Sequence, residues 1–535
     1  MDKVPEEKNP AKNPALPAPE EWHPRHNPWI IAFSVMLATF MEVLDTSVAN
    51  VSLPHIAGNL SASNHEATWV LTSYLVANAI ILPTAAWFSG FFGRKRFLIL
   101  CIMLFTAASA LCGLAHNLGF LIVARIIQGL GGGALQPIAQ AILLESFPKE
   151  KRGQAMAVYA LGVVVAPIIG PTVGGWITDN YSWRWIFLIN LPIGILAVFM
   201  ANAFVEDPPY IKKNRALSID YLGFALMALG LGLFQVIMDK GQEVDWFAAK
   251  WICWSSVIVV VSLVTFVFRE LRTEHPVVDL RILKDRNFFT GVCIVTVIGA
   301  VLYSTTALLP MFLQGLMGYS AYLSGLALSP RGIGAFFTAL VVGRMIGKVD
   351  GRIFVAMGLG FLGINCLALG GINLQIGMSN VIWPIIGTGV GISAIFVPLS
   401  ILAVGTLHKE EMGNATGLFN LMRNIGGSVG IALTTTMLAR MSQVHQSILV
   451  GHLTPYDPAY QIMFQKVQGL LAHAGGGITN PLAYGVIYQD LVRQATLMAF
   501  VDNFRGVGMA CLLIIPGVFL FKKVIPAKGA VSAAH

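Results

Sequence analysis

The run WIIAFSVMLATFMEVLDTSVANVSL, residues 29–53, is hydrophobic enough to cross a bilayer, yet it contains Glu42 and Asp45. On insertion scales an ionised carboxylate in hydrocarbon costs roughly 2.5–3.5 kcal/mol. A chain keeps such a group where it faces water or other protein inside a membrane bundle, and a carboxyl group in that position is able to carry protons. The first span therefore predicts a membrane protein in which buried acids have a function.

Comparable apolar runs repeat along the whole chain. Of its 535 residues, 56% are hydrophobic and only 12% are charged, and the mean hydropathy is +0.70. A soluble protein of this size has about twice that charged fraction. Because backbone polar groups must pair internally in lipid, the spans are predicted to be helical. We therefore expect an all-α polytopic membrane protein with about fourteen transmembrane helices.

The distribution of lysine and arginine predicts the orientation of the spans. An even number of spans places both termini on one side, and the basic clusters at 94–96, 149–152, 212–215 and 269–287 all fall on that side. Cytoplasmic loops carry this excess of Lys and Arg, so both termini are expected in the cytoplasm. The net charge of +8 then reflects topology and contact with anionic membrane lipids, and it does not indicate nucleic-acid binding.

An internal repeat divides the chain into two halves. The loop KEKRGQA at 149–155 recurs as KEEMGNA at 409–415, and GFFGRK at 90–95 recurs as GRMIGK at 343–348. Two six-helix halves related in this way are typical of transporters that bind substrate between the halves. The predicted segments are a disordered cytoplasmic tail 1–28, a first half 29–204, two inserted helices 205–270, a second half 288–523 with a long periplasmic loop 441–499, and a cytoplasmic tail 524–535.

Two other function classes lack their signatures in the sequence. No GxxxxGK[ST] phosphate-binding motif occurs, which argues against an ATP-driven exporter. The six cysteines lie in apolar spans without any CxxC pair, and no His/Asp grouping has catalytic or metal-ligand spacing. We therefore expect no metal, no cofactor and no enzymatic activity, although a membrane enzyme of lipid or cell-wall synthesis is kept as a disfavoured alternative.

Several further motifs accompany the acidic first span. They are LDTSVANVSLP at 44–54, GRKR at 93–96, Arg125 with Gln128-Gly129, GP at 170–171 with GG at 174–175, and WRWIF at 183–187 with PIG at 192–194. Together, from about Trp29 to Lys523, they resemble the major facilitator superfamily, specifically the fourteen-span drug:proton antiporters of the EmrB type. The resemblance implies a major facilitator fold and a bacterial inner-membrane exporter of hydrophobic or amphipathic compounds that uses the proton as its coupling ion. Fatty acids, siderophores and cell-envelope lipids are alternative substrates.

The resemblance also implies a proton-coupling site. Asp45 is the expected proton carrier, and Arg125 in the fourth span is expected to bias it, since a nearby cation lowers a carboxylate pKa while burial raises it. A purely structural ion pair is the alternative. Glu42 lies three residues before Asp45 and so shares its helical face. It either shares the proton, contacts a cationic substrate or lines the cavity as a polar group.

Two motifs are expected to control the movement of the halves. The fifth span carries helix-bending prolines and small residues that permit close helix packing, and the resemblance implies an antiporter motif at a contact between the halves. Its residues are Gly162, Pro167, Gly170, Pro171, Gly174 and Gly175. The loop Gly93-Arg94-Lys95-Arg96 is expected to be a cytoplasmic gating loop. Phe91 and Phe92 stand where the family usually has an acid, so the alternative for its basic residues is simple anchoring to lipid headgroups.

The substrate cavity and the external loop are the least specific predictions. Candidate cavity residues are Glu42, Tyr159, Tyr303, Arg331, Phe419 and Arg423. The two arginines either bind an anionic or amphipathic substrate or satisfy helix carbonyls. The loop 441–499 is the candidate docking site for a periplasmic membrane-fusion adaptor and, through it, an outer-membrane channel. A lipid-facing amphipathic hairpin without a partner is the alternative.

Overall fold

The computed structural model describes residues 24–148, 151–208, 220–273, 276–346, 349–408, 411–473 and 480–522. Most of the two predicted tails lies outside these ranges. Within them, thirteen helical segments are long and apolar enough to span a bilayer. The remaining predicted span is a 39-residue helix whose apolar character is diluted by polar residues such as Asn420 and Arg423. The expectation of an all-α membrane protein with about fourteen spans is confirmed.

The first half contains six spans, three of which are interrupted. Its helices are α1 Pro28–Asn59, α2 Asn64–Ala67, α3 Trp69–Ile81, α4 Ala85–Phe92, α5 Arg94–Gly113, α6 Leu118–Gly132, α7 Leu135–Ser146, α8 Arg152–Asn180, α9 Trp185–Leu188 and α10 Asn190–Phe204. The interruption between α3 and α4 is a short 3₁₀ turn that contains Pro83. Proline causes such a break because it has no N–H to donate and its ring crowds the preceding turn.

The inserted helices and the second half follow in order. The helices are α11 Tyr221–Lys240, α12 Lys250–Arg272, α13 Arg286–Met311, α14 Ala321–Leu328, α15 Pro330–Met345, α16 Gly351–Leu369, α17 Met378–Val404, α18 Met412–Val450, α19 Pro458–His473, α20 Asn480–Leu513 and α21 Ile515–Val518. Asp220 caps the start of α11 by accepting from the Gly223 amide at 2.9 Å. The Arg269 guanidinium, which donates to Asp220, holds the pKa of that carboxyl below its usual range.

The inserted helix α11 contacts both halves. Asp239 and Lys240, at its outer end, bond the side chains of Thr72 and Thr68, the first in α3 and the second immediately before it. On the other side, the Ser428 hydroxyl of α18 donates to Gln235 of α11 at 2.7 Å. The insertion therefore contacts α3 of the first half and α18 of the second half.

The predicted external loop is largely helical. Helix α18 continues to Val450, beyond the expected loop start at 441, and α19 and α20 occupy most of the remainder, while the glycine run 475–477 lies outside the described residues. A 39-residue helix is about 58 Å long, and about 30 Å is enough to cross the hydrocarbon core. Since α18 begins on the expected cytoplasmic side, its last turns project from the outer side together with α19 and the start of α20.

This projection is held by specific contacts. Gln446 of α18 donates to the Tyr488 hydroxyl at 2.8 Å, and His445 lies 2.7 Å from Asp502. Asp502 therefore pairs with His445 and not with Arg505, three residues later on its own helix. Arg505 instead donates to the Gly370 carbonyl at 3.0 Å, because a helix end with unpaired carbonyls lies beside it.

Candidate functional site

Asp45 and Arg125 form a buried ion pair inside the first half. The Arg125 Nη1 lies 2.5 Å from Asp45 Oδ2, and both side chains are fully buried. Arg125 also donates to the Val70 carbonyl at 3.0 Å and to Gln128 at 2.8 Å, and its guanidinium lies 4.3 Å above the Tyr74 ring. Because a guanidinium is always charged, this set of acceptors keeps it in place whatever the protonation state of Asp45.

The second oxygen of Asp45 accepts two amide hydrogen bonds. Gln128 donates to Oδ1 at 2.9 Å and Asn190 donates to it at 2.7 Å. Asn190 is oriented in turn by the Ser109 hydroxyl at 3.0 Å. Each of these side chains is buried, and all come from the first half. The site thus surrounds the Asp45 carboxyl group with a cation and two neutral donors from α6 and α10, and residues of α3 and α5 position these donors.

Glu42 has its own set of donors on the same face of α1. Tyr74 donates to Oε1 at 3.1 Å and Asn78 donates to it at 3.3 Å, while Gln136 of α7 donates to Oε2 at 2.7 Å. Tyr74 therefore lies between the two acids, since its hydroxyl binds Glu42 and its ring covers the cation that binds Asp45. Glu42 is 3% exposed and belongs to a buried polar cluster.

The glycines of the fifth span pack against α1, within the first half. A Cβ added at Gly162 would meet Met36, and one added at Gly170 or Gly174 would meet Ser47 or Val48. The implied contact between halves is made by other faces of α8. Toward the expected outer side Pro171 and Thr172 meet Gly325 of α14, and toward the expected cytoplasmic side Gly153 meets Ile346.

One hydrogen bond explains why the first-span motif carries a serine. Pro171 has no N–H, so the carbonyl of Pro167, four residues earlier, loses its helical partner. The Ser47 hydroxyl of α1 donates to that carbonyl at 3.1 Å. Helix α8, with Gly175 buried near its outer end, is therefore fixed to the helix that bears Asp45.

The basic loop between α4 and α5 is a tight connection at Gly93, which has a φ of 86° that favours glycine. Arg94 is buried in an ion pair with Glu145 of α7, so the headgroup anchoring considered for it is wrong. The Lys95 amide donates to Asp207 at 2.8 Å, and Arg96 is exposed. The acid missing from the loop is supplied by another helix.

Removing Arg94 should therefore destabilise the fold as well as the loop. Because it would leave Glu145 buried without its cation, we expect Arg94→Ala to cost on the order of 3–5 kcal/mol. The measurement is thermal unfolding in detergent. The exposed Arg96→Ala is the matched control and should leave the melting temperature unchanged. Equal melting temperatures for the two variants would contradict this role of the Arg94–Glu145 pair.

A row of polar contacts joins the two halves on the expected cytoplasmic side. The Thr416 hydroxyl of α18 donates to the Pro137 carbonyl at 3.1 Å, and Asn420 donates to Gln140 at 2.6 Å. One turn further along α18, Arg423 donates to Gln136. These α18 side chains recur at helical spacing, so α7 and α18 hold the two halves together along one edge on the expected cytoplasmic side.

The other cavity candidates are more dispersed. Tyr159 is buried and stacks on Phe396 at 6.3 Å, and Arg423 lies 5.7 Å from the same ring. Tyr303 is half-buried and donates to Asn424 at 3.4 Å, whereas Phe419 is packed in the core. Only part of the predicted set, Glu42 with Arg423 and Tyr159, comes together.

Arg331 of α15 is a buried cation in a neutral environment. It donates to the hydroxyls of Thr388 at 3.2 Å, Thr306 at 3.0 Å and Thr305 at 3.1 Å. The structure records no carboxylate partner for it among the described residues. The Arg331 guanidinium therefore donates to threonine hydroxyls, and not to the helix carbonyls that the sequence offered as an alternative.

A family model described as Major Facilitator Superfamily matches residues 35–431, which include both buried acids and Arg125. The chain belongs to the major facilitator superfamily. The Escherichia coli K12 "Multidrug export protein EmrB" is 34% identical over 508 residues, which cover 95% of this chain and 98% of that protein. The Neisseria gonorrhoeae "Fatty acid resistance protein FarB" is 35% identical over 498 residues, 92% and 96% of the two chains. The predicted membership of the EmrB type within the superfamily is confirmed.

Two further comparisons extend this major facilitator assignment. The Acinetobacter baumannii "Colistin resistance protein EmrB" is 30% identical over 503 residues, covering 94% of this chain and 97% of that protein. The human organic anion transporter MFSD10 has a crystal structure that aligns with a TM-score of 0.58 at 13% identity, covering 93% of this chain and all of that chain. The structural likeness supports the fold alone.

Several polar residues of this major facilitator site are not among the site residues predicted from the sequence. Asn78, Gln136 and Asn190 complete the donor sets of the two acids, and Gln128 had been read only as part of a motif. Their common signal is an amide side chain within an apolar span. Lipid has no water to pair such a group, so each needs a protein partner.

Proposed function

We propose that this chain is a proton-coupled exporter of hydrophobic or amphipathic compounds in the inner membrane of a bacterium, and that it is not an enzyme. The names of its near full-length relatives, which describe multidrug export and resistance to fatty acids and colistin, support this proposal. The observation that carries it is the fully buried Asp45–Arg125 pair, a titratable group placed at high cost within the first span.

In this proposal Asp45 binds and releases the proton and Arg125 biases its affinity. Arg125 has three other acceptors or contacts (Val70, Gln128 and the Tyr74 ring), so it can remain in place when Asp45 is neutral. One proton moving inward through about 100 mV releases about 2.3 kcal/mol. That free energy sustains roughly fiftyfold accumulation of an exported compound. The proton is the only coupling species proposed, without metal or cofactor.

Alternating access would rock the second half against the first around α8. The α8 face that bears Gly162, Gly170 and Gly174 is fixed to α1, and its other faces meet α14 and α15 of the second half. Such an arrangement links movement at the inter-half contact to the helix that carries the acids. The gating loop at Gly93 contributes through the Arg94–Glu145 pair, which ties α5 to α7 beside the row that closes the cytoplasmic side.

Export is tested by gradient-driven transport in proteoliposomes that contain the purified chain. We expect uptake or efflux of a fluorescent amphipathic cation to follow an imposed pH gradient and to stop when a protonophore collapses it. Transport that proceeds equally without a gradient would contradict proton coupling. An activity that changes the compound chemically would instead favour the alternative of a membrane enzyme.

A second substrate class, fatty acids or other lipophilic carboxylates, is favoured by Arg331. Among the described residues Arg331 is held by three threonine hydroxyls and by no carboxylate, so this buried cation has spare capacity to pair with an anionic ligand. The relative named for fatty acid resistance supports the same class. We expect Arg331→Gln to reduce transport of a long-chain fatty acid by about tenfold, the effect of losing one charge-assisted contact. Transport of an amphipathic cation should be unchanged.

An equal loss for both substrates would contradict this role for Arg331 and would indicate a structural one. Lys466→Ser, which replaces an exposed cation on α19, is the matched control for removing a positive charge. It should leave transport of both compounds unaffected. The two classes of substrate are therefore distinguished within one set of proteoliposomes.

The outer projection formed by the ends of α18, α19 and α20 is the proposed docking site for a periplasmic membrane-fusion adaptor, and through it an outer-membrane channel. It carries exposed apolar side chains well beyond the length needed to cross the bilayer, among them Tyr456, Ile462, Leu470 and Tyr484. Exposed apolar groups that cluster on one projection are typical of protein–protein or membrane contacts.

Acidic substitutions on this projection should abolish docking of the adaptor and leave transport intact. We expect Ile462→Asp combined with Leu470→Asp to abolish co-purification with the adaptor, because buried charges at an interface are strongly unfavourable. Transport in proteoliposomes, which lack the adaptor, should be retained. Lys466→Ser on the same helix is the control. Retained co-purification of the double variant would place the docking site elsewhere and favour a lipid-facing hairpin.

A further inference from the structure

Gln136 connects a buried acid of the first half to a buried cation of the second. Its Nε2 donates to Glu42 Oε2 at 2.7 Å, and its Oε1 accepts from Arg423 Nη2. The three side chains are between 2% and 7% exposed. They come from α1, α7 and α18, so the chain of contacts crosses from one half to the other.

The chemistry of the three groups determines how the amide is oriented. A guanidinium only donates hydrogen bonds, so the amide oxygen of Gln136 must face Arg423. The amide nitrogen must then face Glu42, and it needs an acceptor there. An ionised Glu42 is an acceptor only, and it also receives the donors of Tyr74 and Asn78. The three donors thus stabilise the charged form of Glu42 more than its neutral form.

The bridge lies at one end of the row that closes the cytoplasmic side. Arg423 follows Thr416 and Asn420 along the same face of α18, and Gln136 precedes Pro137 and Gln140 on α7. The hydrogen bonds of Asp45 among the described residues all stay within the first half. Glu42 is therefore the acid whose charge is communicated directly to the second half.

The titratable and charged groups that face Glu42 in the described part of the chain are compatible with this role. Asp45 lies on its own helix, Tyr74 on α3, Arg423 on α18 and Tyr159 on α8. Arg423 favours the ionised form, and Asp45 opposes it through like charge. Protonation of Glu42 converts a charge-assisted hydrogen bond to Gln136 into a neutral one of about half the strength. It also removes the negative charge at the end of the bridge to Arg423.

We propose that protonation of Glu42 loosens the Gln136–Arg423 bridge and so releases the cytoplasmic contact between α7 and α18, with Gln136 as the positioning residue. This inference rests on the proposed proton-driven exchange. It gives the exchange a direction, because a proton that reaches Glu42 while the cytoplasmic side is closed would favour its opening. Glu42 is then a gate-coupling residue distinct from the carrier Asp45.

The test is a distance measurement between the cytoplasmic ends of the two halves. Spin labels are attached to cysteines that replace Arg96 and Lys284, both exposed, after Cys253→Ser and Cys293→Ser remove the exposed native thiols. Double electron–electron resonance is recorded on the full chain in lipid from about pH 8 to about pH 5, a range over which a buried carboxyl is able to change its charge. For the otherwise wild-type protein we expect the ratio of separated to closed populations to rise about tenfold on acidification.

Glu42→Gln is expected to populate the separated state at every pH and to lose the pH response. Gln136→Leu should do the same while retaining Glu42, which keeps the proposal testable if either variant fails to fold. The matched control is Gln140→Leu, which removes the neighbouring contact with Asn420 and should lower the closed population while preserving the pH response.

A wild-type pH response in Glu42→Gln would overturn the proposal. If that response were retained in Glu42→Gln but lost in Asp45→Asn, proton coupling would stand and the bridge alone would be wrong. If the distances in the parent protein did not change with pH and transport ignored the gradient, the proposed function would fail as well. The experiment therefore distinguishes the two failures.

Discussion

Asp45→Asn is expected to reduce gradient-driven accumulation from roughly fiftyfold to about onefold. Asparagine preserves the size of the side chain and its ability to accept from Gln128 and Asn190, but it does not bind or release a proton in the physiological range. The measurement is the steady-state accumulation of an amphipathic compound in proteoliposomes with an imposed pH gradient. Downhill exchange of the same compound without a gradient should persist, because the substitution removes coupling and not the path.

The effect of Asp45→Asn on the stability of the protein is distinct from its effect on proton coupling. Removing one partner of a buried ion pair costs about 3–5 kcal/mol, since Arg125 would keep its charge without a counter-ion. The double variant Asp45→Asn/Arg125→Gln removes both charges and should restore part of the melting temperature without restoring accumulation. Asp179→Asn, which alters a carboxylate that is 55% exposed, is the matched control and should accumulate like wild type.

Gradient-driven accumulation in either variant that lacks Asp45 would contradict its role as proton carrier. A structural role for the pair predicts a different outcome, in which the double variant recovers both stability and accumulation. The proton-carrier role and the structural role of the pair therefore predict different accumulation for the same double variant. The result would also bear on Glu42, because it would show whether that acid alone is able to sustain coupling.

The sequence predicted the first-half pair because both members lie in recognisable motifs at defined positions in their spans. A carboxylate and a guanidinium in apolar helices have few ways to be satisfied except by each other. The helices and the approximate number of spans could also be predicted from the sequence, since long apolar runs need internal backbone pairing. The insertion was visible because Tyr221–Lys240 and Lys250–Arg272 interrupt an internal repeat.

Contacts between helices that are far apart in the sequence could not be predicted from a single sequence. Gln136 and Arg423 are 287 positions apart, and neither the motif nor the helical period specifies that they meet. The same holds for Glu145, which supplies the acid that the loop before Arg94 lacks. Helical spacing assigns a side chain to a face, but the neighbour of that face depends on how whole helices pack.

The extent of α18 was misjudged for a related reason. A loop was expected to begin at 441, yet the helix continues to Val450 because a helix outside the bilayer needs no continuous apolar run. Side-chain contacts such as Gln446 with Tyr488 hold its outer turns. Hydropathy marks where a helix leaves lipid, and it does not mark where the helix ends.

Gly426→Ala is expected to destabilise the second half on the order of 2–4 kcal/mol, a large effect for one methyl group. A Cβ at this position would overlap the Thr296 carbonyl oxygen of α13, so the backbone of one helix would have to move. Gly430, one turn later, and Gly299 on α13 also lie directly against the opposing backbone. Small residues at this spacing let membrane helices approach closely.

The measurement is the thermal unfolding of the purified protein in detergent, with Gly360→Ala and Gly506→Ala as matched controls. Both control glycines lie within helices and have open space where a Cβ would be. At these two control positions alanine should be neutral or should stabilise the protein by up to about 1 kcal/mol, because alanine favours the helix more than glycine does. Equal melting temperatures for Gly426→Ala and the controls would contradict close packing of α13 on α18. Since the Arg423 carbonyl lies against Gly299 in the same contact, a shift of α18 should also displace the cation that Gln136 binds and weaken the closed cytoplasmic side.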